Sequence, residues 1–156
     1  MQTINCDIEI PIAWSWVERV RQTVRSKLAD CDAELREAAI MVASELAENV
    51  VKHGEPLANL ETGLIQLRVE DGVVQISSTN GVRDPARAGR LATLLRRLAD
   101  AADPLELYLD RLRELVTSPD QRETQAGLYR IVCEGGFSLS QSYVDGVLTM
   151  RAERPL

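Results

Sequence analysis

A chain of 156 residues is long enough for one domain with a sizeable core, and 45% hydrophobic with 27% charged residues makes it globular rather than disordered. The formal net charge of −6 excludes the basic footprint that nucleic-acid binding needs, so a bound nucleotide would require local positive charge or Mg²⁺. The cysteines, Cys6, Cys31 and Cys133, are odd in number and lack CxxC spacing, which reads as reduced, buried thiols in a cytoplasmic protein and not as a zinc site. No apolar run suggests a signal peptide or a membrane span.

Ile4, Cys6, Ile8 and Ile10 alternate with polar residues as a half-buried strand ended by Pro11. A helical pattern from about Trp14 to Ala29 runs through Val17, Val20, Val24 and Leu28, with Trp14 and Trp16 as core or rim residues. Asp32 is placed to cap a longer helix, about Ala33 to His53. On that helix Leu35, Ala39, Val42, Leu46 and Val50 form the core stripe. Glu45, Asn49 and His53 recur every four residues on an adjacent stripe, and Gly54 is read as the C′ residue that ends the helix. A carboxylate, an amide and an imidazole at the edge of a buried face are costly unless something uses them.

After a loop holding Pro56, Ile65, Leu67 and Val69 alternate on a strand, and Asp71-Gly72 turns a tight hairpin into a return strand from Val73 to about Ser78. SSTNGVRDP reads as a polar turn. From Arg87 to Val116 the leucines make two stripes, Leu91, Leu94, Leu95 and Leu98, then Leu105, Leu109, Leu112 and Val116, broken at Asp103-Pro104. This is an αα-hairpin or a kinked long helix, which either packs on the body of the domain or serves as a lid or partner-docking surface. Its arginines, Arg90, Arg96, Arg97, Arg111 and Arg113, could meet an acidic surface or phosphates, and most of them read as a solvated face. A polar linker, Ser118 to Thr124, leads to a short helix from Gln125 to Glu134, stopped by Gly135-Gly136. Phe137, Leu139, Gln141 and Tyr143 alternate with serines, Asp145-Gly146 makes a second hairpin, and Leu148, Met150 and Ala152 alternate on the final strand. The expected fold class is α+β: a two-layer sandwich of a mixed or antiparallel sheet with helices on one face, forming a single domain over 1–156 with a helical-hairpin insert at about 86–117.

The ASELAENVVKHGE stretch resembles the N box of the GHKL superfamily of histidine-kinase-like ATPases and anti-sigma-factor kinases, and the order of elements is similar to the Bergerat fold of that superfamily. The resemblance assigns Glu45 the role of base toward the attacking group and Asn49 that of holding Mg²⁺ against nucleotide phosphates. Lys52 and His53 would meet phosphate or position the following loop. Ser78, Asn80 and Gly81 stand where the family has an Asp-x-Gly-x-Gly box for adenine, without its Asp and with one Gly. Gly127 in AGLYRIV stands where a glycine-rich helix start approaches phosphate. The leucine-rich helical pair in place of a lid resembles the SiaB-like branch, whose members are Ser/Thr protein kinases of bacterial partner-switching pathways.

The resemblance therefore implies an ATP- and Mg²⁺-binding kinase-like regulator that phosphorylates a small regulatory protein. The alternative, to which the missing Asp points, is a pseudokinase or anti-sigma-like adaptor that sequesters a partner. A homodimer is consistent with either.

Overall fold

The computed structural model describes residues 2–117 and 126–156. The elements in chain order are β1 (Ile4–Ile10), α1 (Ser15–Lys27), α2 (Ala33–His53), β2 (Gly63–Glu70), β3 (Val73–Gly81), α3 (Pro85–Asp100), α4 (Pro104–Thr117), α5 (Ala126–Cys133), β4 (Ser138–Val144) and β5 (Val147–Pro155). The strands form one sheet in the order β1-β2-β3-β5-β4, antiparallel at every pairing. Side chains alternate across a strand, so Ile65, Leu67 and Val69 of β2 and Val74 and Ile76 of β3 turn to the helices and are buried. The intervening Gln66, Arg68 and Gln75 lie on the opposite, more open face. The architecture is the expected α+β two-layer sandwich. No helix among the described residues is long and apolar enough to cross a membrane.

α2 is the spine of the helical layer. Val42, Leu46 and Val50 are fully buried over β2 and β3, and α1 lies alongside through Val20, Val24 and Leu28. Its start is fixed as expected: the Asp32 carboxylate accepts hydrogen bonds from the backbone N–H of Glu34 at 3.0 Å and Leu35 at 3.3 Å. Such caps are worth roughly 1 kcal/mol. Asp32→Ala is expected to lower unfolding free energy by about that much, read in urea titration; an unchanged midpoint would mean that solvent caps these amides equally well.

The end of α2 differs from expectation. Gly54 is extended, at φ −65° and ψ 137°, not left-handed. Glycine is required there by proximity, because a Cβ would lie 2.4 Å from the Val50 carbonyl oxygen. Both Asp-Gly hairpins form as read, with positive φ at each turn residue: 51° and 75° at Asp71-Gly72, 51° and 80° at Asp145-Gly146. That is the type I′ geometry whose twist suits a two-residue hairpin.

Three further expectations are corrected and one is narrowed. β3 does not stop near Ser78; it continues to Gly81 because β5 pairs with it throughout, Asn80 opposite Leu148 and Gly81 opposite Val147. The supposed polar turn SSTNG is thus strand. Of core and rim, Trp14 takes the rim, 56% exposed at the N-cap of α1, while Trp16 packs against the core. The thiols of Cys6, Cys31 and Cys133 are half-buried rather than buried. In the helical pair, Asp103-Pro104 separates two helices; α3 packs mainly on β4 and α4 on α5. Leu94, Leu95 and Leu98 enter the core as expected, but Leu105, Leu109 and Leu112 face outward, and α4 packs inward through Leu107 and Tyr108. The side chain of Val116, the polar linker at residues 118–124 and the helix residue Gln125 lie outside the described residues.

Candidate functional site

The polar stripe of α2 faces the start of α3 and the start of α5. Glu45 is the innermost member. Its Oε1 accepts a hydrogen bond from Nη1 of Arg130 on α5 at 2.6 Å, and only 14% of its side chain is exposed. Arg130 Nε also donates to Glu134 at 3.1 Å, one helical turn on. Burial pushes the Glu45 carboxyl above its ordinary range and Glu48 adds to the rise, while Arg130 and Lys52 pull it back. Gly127, one turn before Arg130, lies against the same carboxylate: a Cβ there would stand 2.1 Å from Glu45 Oε2. The backbone approach that glycine permits at this helix start is therefore to Glu45 itself.

One and two turns further along α2, Asn49 and His53 line a cavity of about 180 Å³. Asn80, Arg87 and Arg90 complete its polar part; Val82, Leu91, Leu128, Leu148 and Met150 form an apolar wall. Arg87 donates from Nη2 to His53 Nδ1 at 2.7 Å, so that nitrogen is the acceptor and the imidazole proton sits on the other one. Arg87 also lies 3.7 Å from Glu55. α3 is held over the cavity by β4: Gln141 donates to the Ala88 carbonyl at 3.3 Å, and the Tyr143 hydroxyl to that of Val82 at 2.6 Å.

The remaining sequence candidates sit elsewhere or serve the fold. Lys52 lies outside the cavity lining, with its ammonium 5.8 Å from the centre of the Trp14 ring. Ser78 is buried within the sheet between Ile65 and Met150 and does not line the cavity. Asn80 reaches the cavity, but its amide donates to the Gly81 carbonyl at 3.1 Å. Gly81 admits the loop after α2, since a Cβ would lie 2.2 Å from the Glu55 carbonyl oxygen. The structure thus brings Asn49, His53 and Asn80 together around one cavity and Glu45 with Gly127 beside it.

Sequence reasoning missed Arg87 and Arg130 and left Arg90 open between a solvated face and a phosphate contact. A signal existed for each. Asp84 caps α3, accepting from the Ala86 N–H at 3.0 Å, and the i, i+3, i+4 spacing of Arg87, Arg90 and Leu91 sets them on one face. Gly127 and Arg130 share a face of α5 in the same way.

No protein-family model matches the chain, and no curated protein matches it. Among solved structures it is similar to the crystal structure of the RsbU and RsbW domains of Rv1364c from Mycobacterium tuberculosis, with a TM-score of 0.53 and 17% sequence identity. The two share a fold. The match covers 97% of this chain and 33% of the other, so this chain spans about a third of that length.

Two guanidiniums and the amides of Asn49 and Asn80 on the polar part, with an apolar wall beside them, suit an anionic ligand that carries an apolar group. The residues fit ATP poised for transfer less well. The Glu45 carboxylate is already engaged by a guanidinium, and about 180 Å³ falls short of the roughly 300–1,000 Å³ typical of ligand pockets. Among the described residues no group of three or more His, Cys, Asp or Glu stands together to hold a metal, and Asn49 offers Mg²⁺ a single amide oxygen.

Proposed function

We propose that this protein is a partner-switching regulator of the RsbW-like type that acts on a small regulatory protein by sequestering it, with residues 86–117 standing where the wider superfamily has a lid. The observation that carries this reading is the Glu45–Arg130 contact at 2.6 Å. A base must have a free lone pair directed at the proton it removes. Here the guanidinium engages Oε1, and the Gly127 backbone lies close against Oε2. The missing adenine-binding carboxylate points the same way, since Asn80 turns its amide donor to its neighbour's carbonyl.

A second reading, phosphotransfer to a Ser or Thr of the partner, is favoured by one arrangement. Asn49, Arg87 and Arg90 line the same cavity, and ATP bound there would meet two positive charges in an otherwise acidic chain. When bound, Mg-ATP would supply the phosphoryl group; Asn49 would orient the phosphates and the arginines would hold them.

Calorimetric titration with ATP, with and without Mg²⁺, beside Asn49→Ala, separates the readings when joined to a transfer assay. Sequestration predicts that the affinity-captured partner binds equally well with and without Mg-ATP and receives no γ-phosphate. Transfer that is lost in Glu45→Ala, together with Mg-dependent binding lost in Asn49→Ala, would overturn sequestration in favour of the kinase.

A further inference from the structure

We propose that the cavity between α2 and α3 binds a small monocarboxylic acid whose apolar part is a single ring or a short branched chain. Such a site is independent of partner capture, which a separate binding assay reads.

Size sets the first limit. The cavity holds about 180 Å³, slightly more than the roughly 150 Å³ apolar cavity that admits benzene. One ring or a short chain fits together with a carboxylate. A purine, a ribose and a row of phosphates do not.

Charge sets the second limit. No Asp or Glu lines the cavity, although acidic residues outnumber basic ones by 24 to 18 in the chain. Arg87 and Arg90 both line it. Arg87 already donates to His53 Nδ1 at 2.7 Å and lies 3.7 Å from Glu55, whose carboxylate offsets its charge. Arg90 forms no ion pair and no side-chain hydrogen bond among the described residues. A single positive charge is therefore left over, and a monoanion neutralises it where a triphosphate would overshoot. A planar carboxylate matches the guanidinium fork with two parallel hydrogen bonds. The side-chain amide of Asn49 lines the same cavity, makes no hydrogen bond among the described residues, and supplies a further donor to the carboxylate.

The remaining wall selects the rest of the ligand. Val82, Leu128, Leu148 and Met150 line it and are buried. Atoms beside such a gap lack dispersion partners on that side. An apolar group that fills the gap gains those contacts and leaves water. Inorganic phosphate or another fully polar anion would leave this wall unused.

The test uses the full chain with carbon-13 methyl-labelled methionine, and phenylacetate and 4-methylpentanoate as probes. Met150 lines the cavity, and Met41, which does not, is the internal control. An acid of this class is expected to shift the Met150 methyl resonance at millimolar concentration or below and leave Met41 unmoved. The matching neutral amide, phenylacetamide or 4-methylpentanamide, should bind roughly tenfold or more weakly, the usual scale for a hydrogen-bonded charge. Arg90→Gln should weaken the acid by a similar factor without changing the thermal midpoint, since Arg90 is exposed. A Met150 methyl that neither acid moves at millimolar concentration overturns the proposal. So does an amide that binds as well as its acid, or an Arg90→Gln chain that binds like wild type. ATP that shifts Met150 at lower concentration than either acid overturns it in favour of a nucleotide.

Discussion

Replacing Phe137 by alanine is expected to destabilise the domain by about 3–5 kcal/mol, the usual cost of emptying an aromatic site in a packed interior. Phe137 is 1% exposed and stands first among the largest fully buried side chains. Its N–H donates to the Ile131 carbonyl at 3.2 Å, which ties the chain to the end of α5 just before β4 begins. The fixed backbone leaves little room for the site to collapse. Against a total stability of roughly 5–15 kcal/mol, the loss brings the chain near its unfolding threshold at moderate temperature. A denaturant midpoint that falls by less than a quarter of its value would show that α5 moves in to fill the space. Phe137→Leu keeps most of the volume and should recover the larger part of the loss.

Arg130→Gln should make stability depend more steeply on pH. In the folded protein the Glu45 carboxyl lies above its ordinary value near 4.5, chiefly through burial, and Arg130 is one of the two groups that restrain the rise. A carboxyl whose folded-state pKa is raised contributes stability that is complete below the unfolded value and is lost as pH rises through the folded one. Removing the guanidinium raises that pKa further, widens the window and deepens the loss above it. Near neutral pH the cost should be about 1–2 kcal/mol. That is the low end for hydrogen bonds to a charged group, because Arg130 is 41% exposed and water screens the pair. Urea titrations from pH 4 to pH 8 should show the variant falling away from wild type as pH rises. Glu45→Gln combined with Arg130→Gln should bring the slope back. Parallel curves for wild type and Arg130→Gln would mean that solvent and Lys52 compensate Glu45 without Arg130.

Local chemistry made much of this fold readable. The two Asp-Gly turns, the Asp32 cap and the bounds of α2 each follow from a handful of neighbouring residues, and all were found where they were expected. What could not be read depends on residues distant in the chain. Nothing in SSTNG announces that β5 will pair with it, so polar residues that would end an edge strand read as a turn. α4 is apolar on two sides, and a leucine period is the same whether it points inward or out; only the packing of Leu107 and Tyr108 on α5 decides. The candidate site divides in the same way. The Glu45, Asn49, His53 stripe is visible as helical spacing. Arg87 and Arg130 come to it from separate helices; their spacing places each on a helix face, but nothing near them in the chain says that this face meets α2.

The strand order has a consequence for how the chain assembles. Only the β2–β3 and β4–β5 hairpins pair locally; β1 meets β2 across α1 and α2, and β3 meets β5 across α3, α4, α5 and β4. Bringing such distant segments together carries a loop-closure cost that slows folding. Until β5 arrives, the hydrogen-bonding edge of β3, with its VVQI start, is an open template for another chain. The interval before that closure, and not the finished domain, is when this protein is most exposed to misassembly with its own nascent copies.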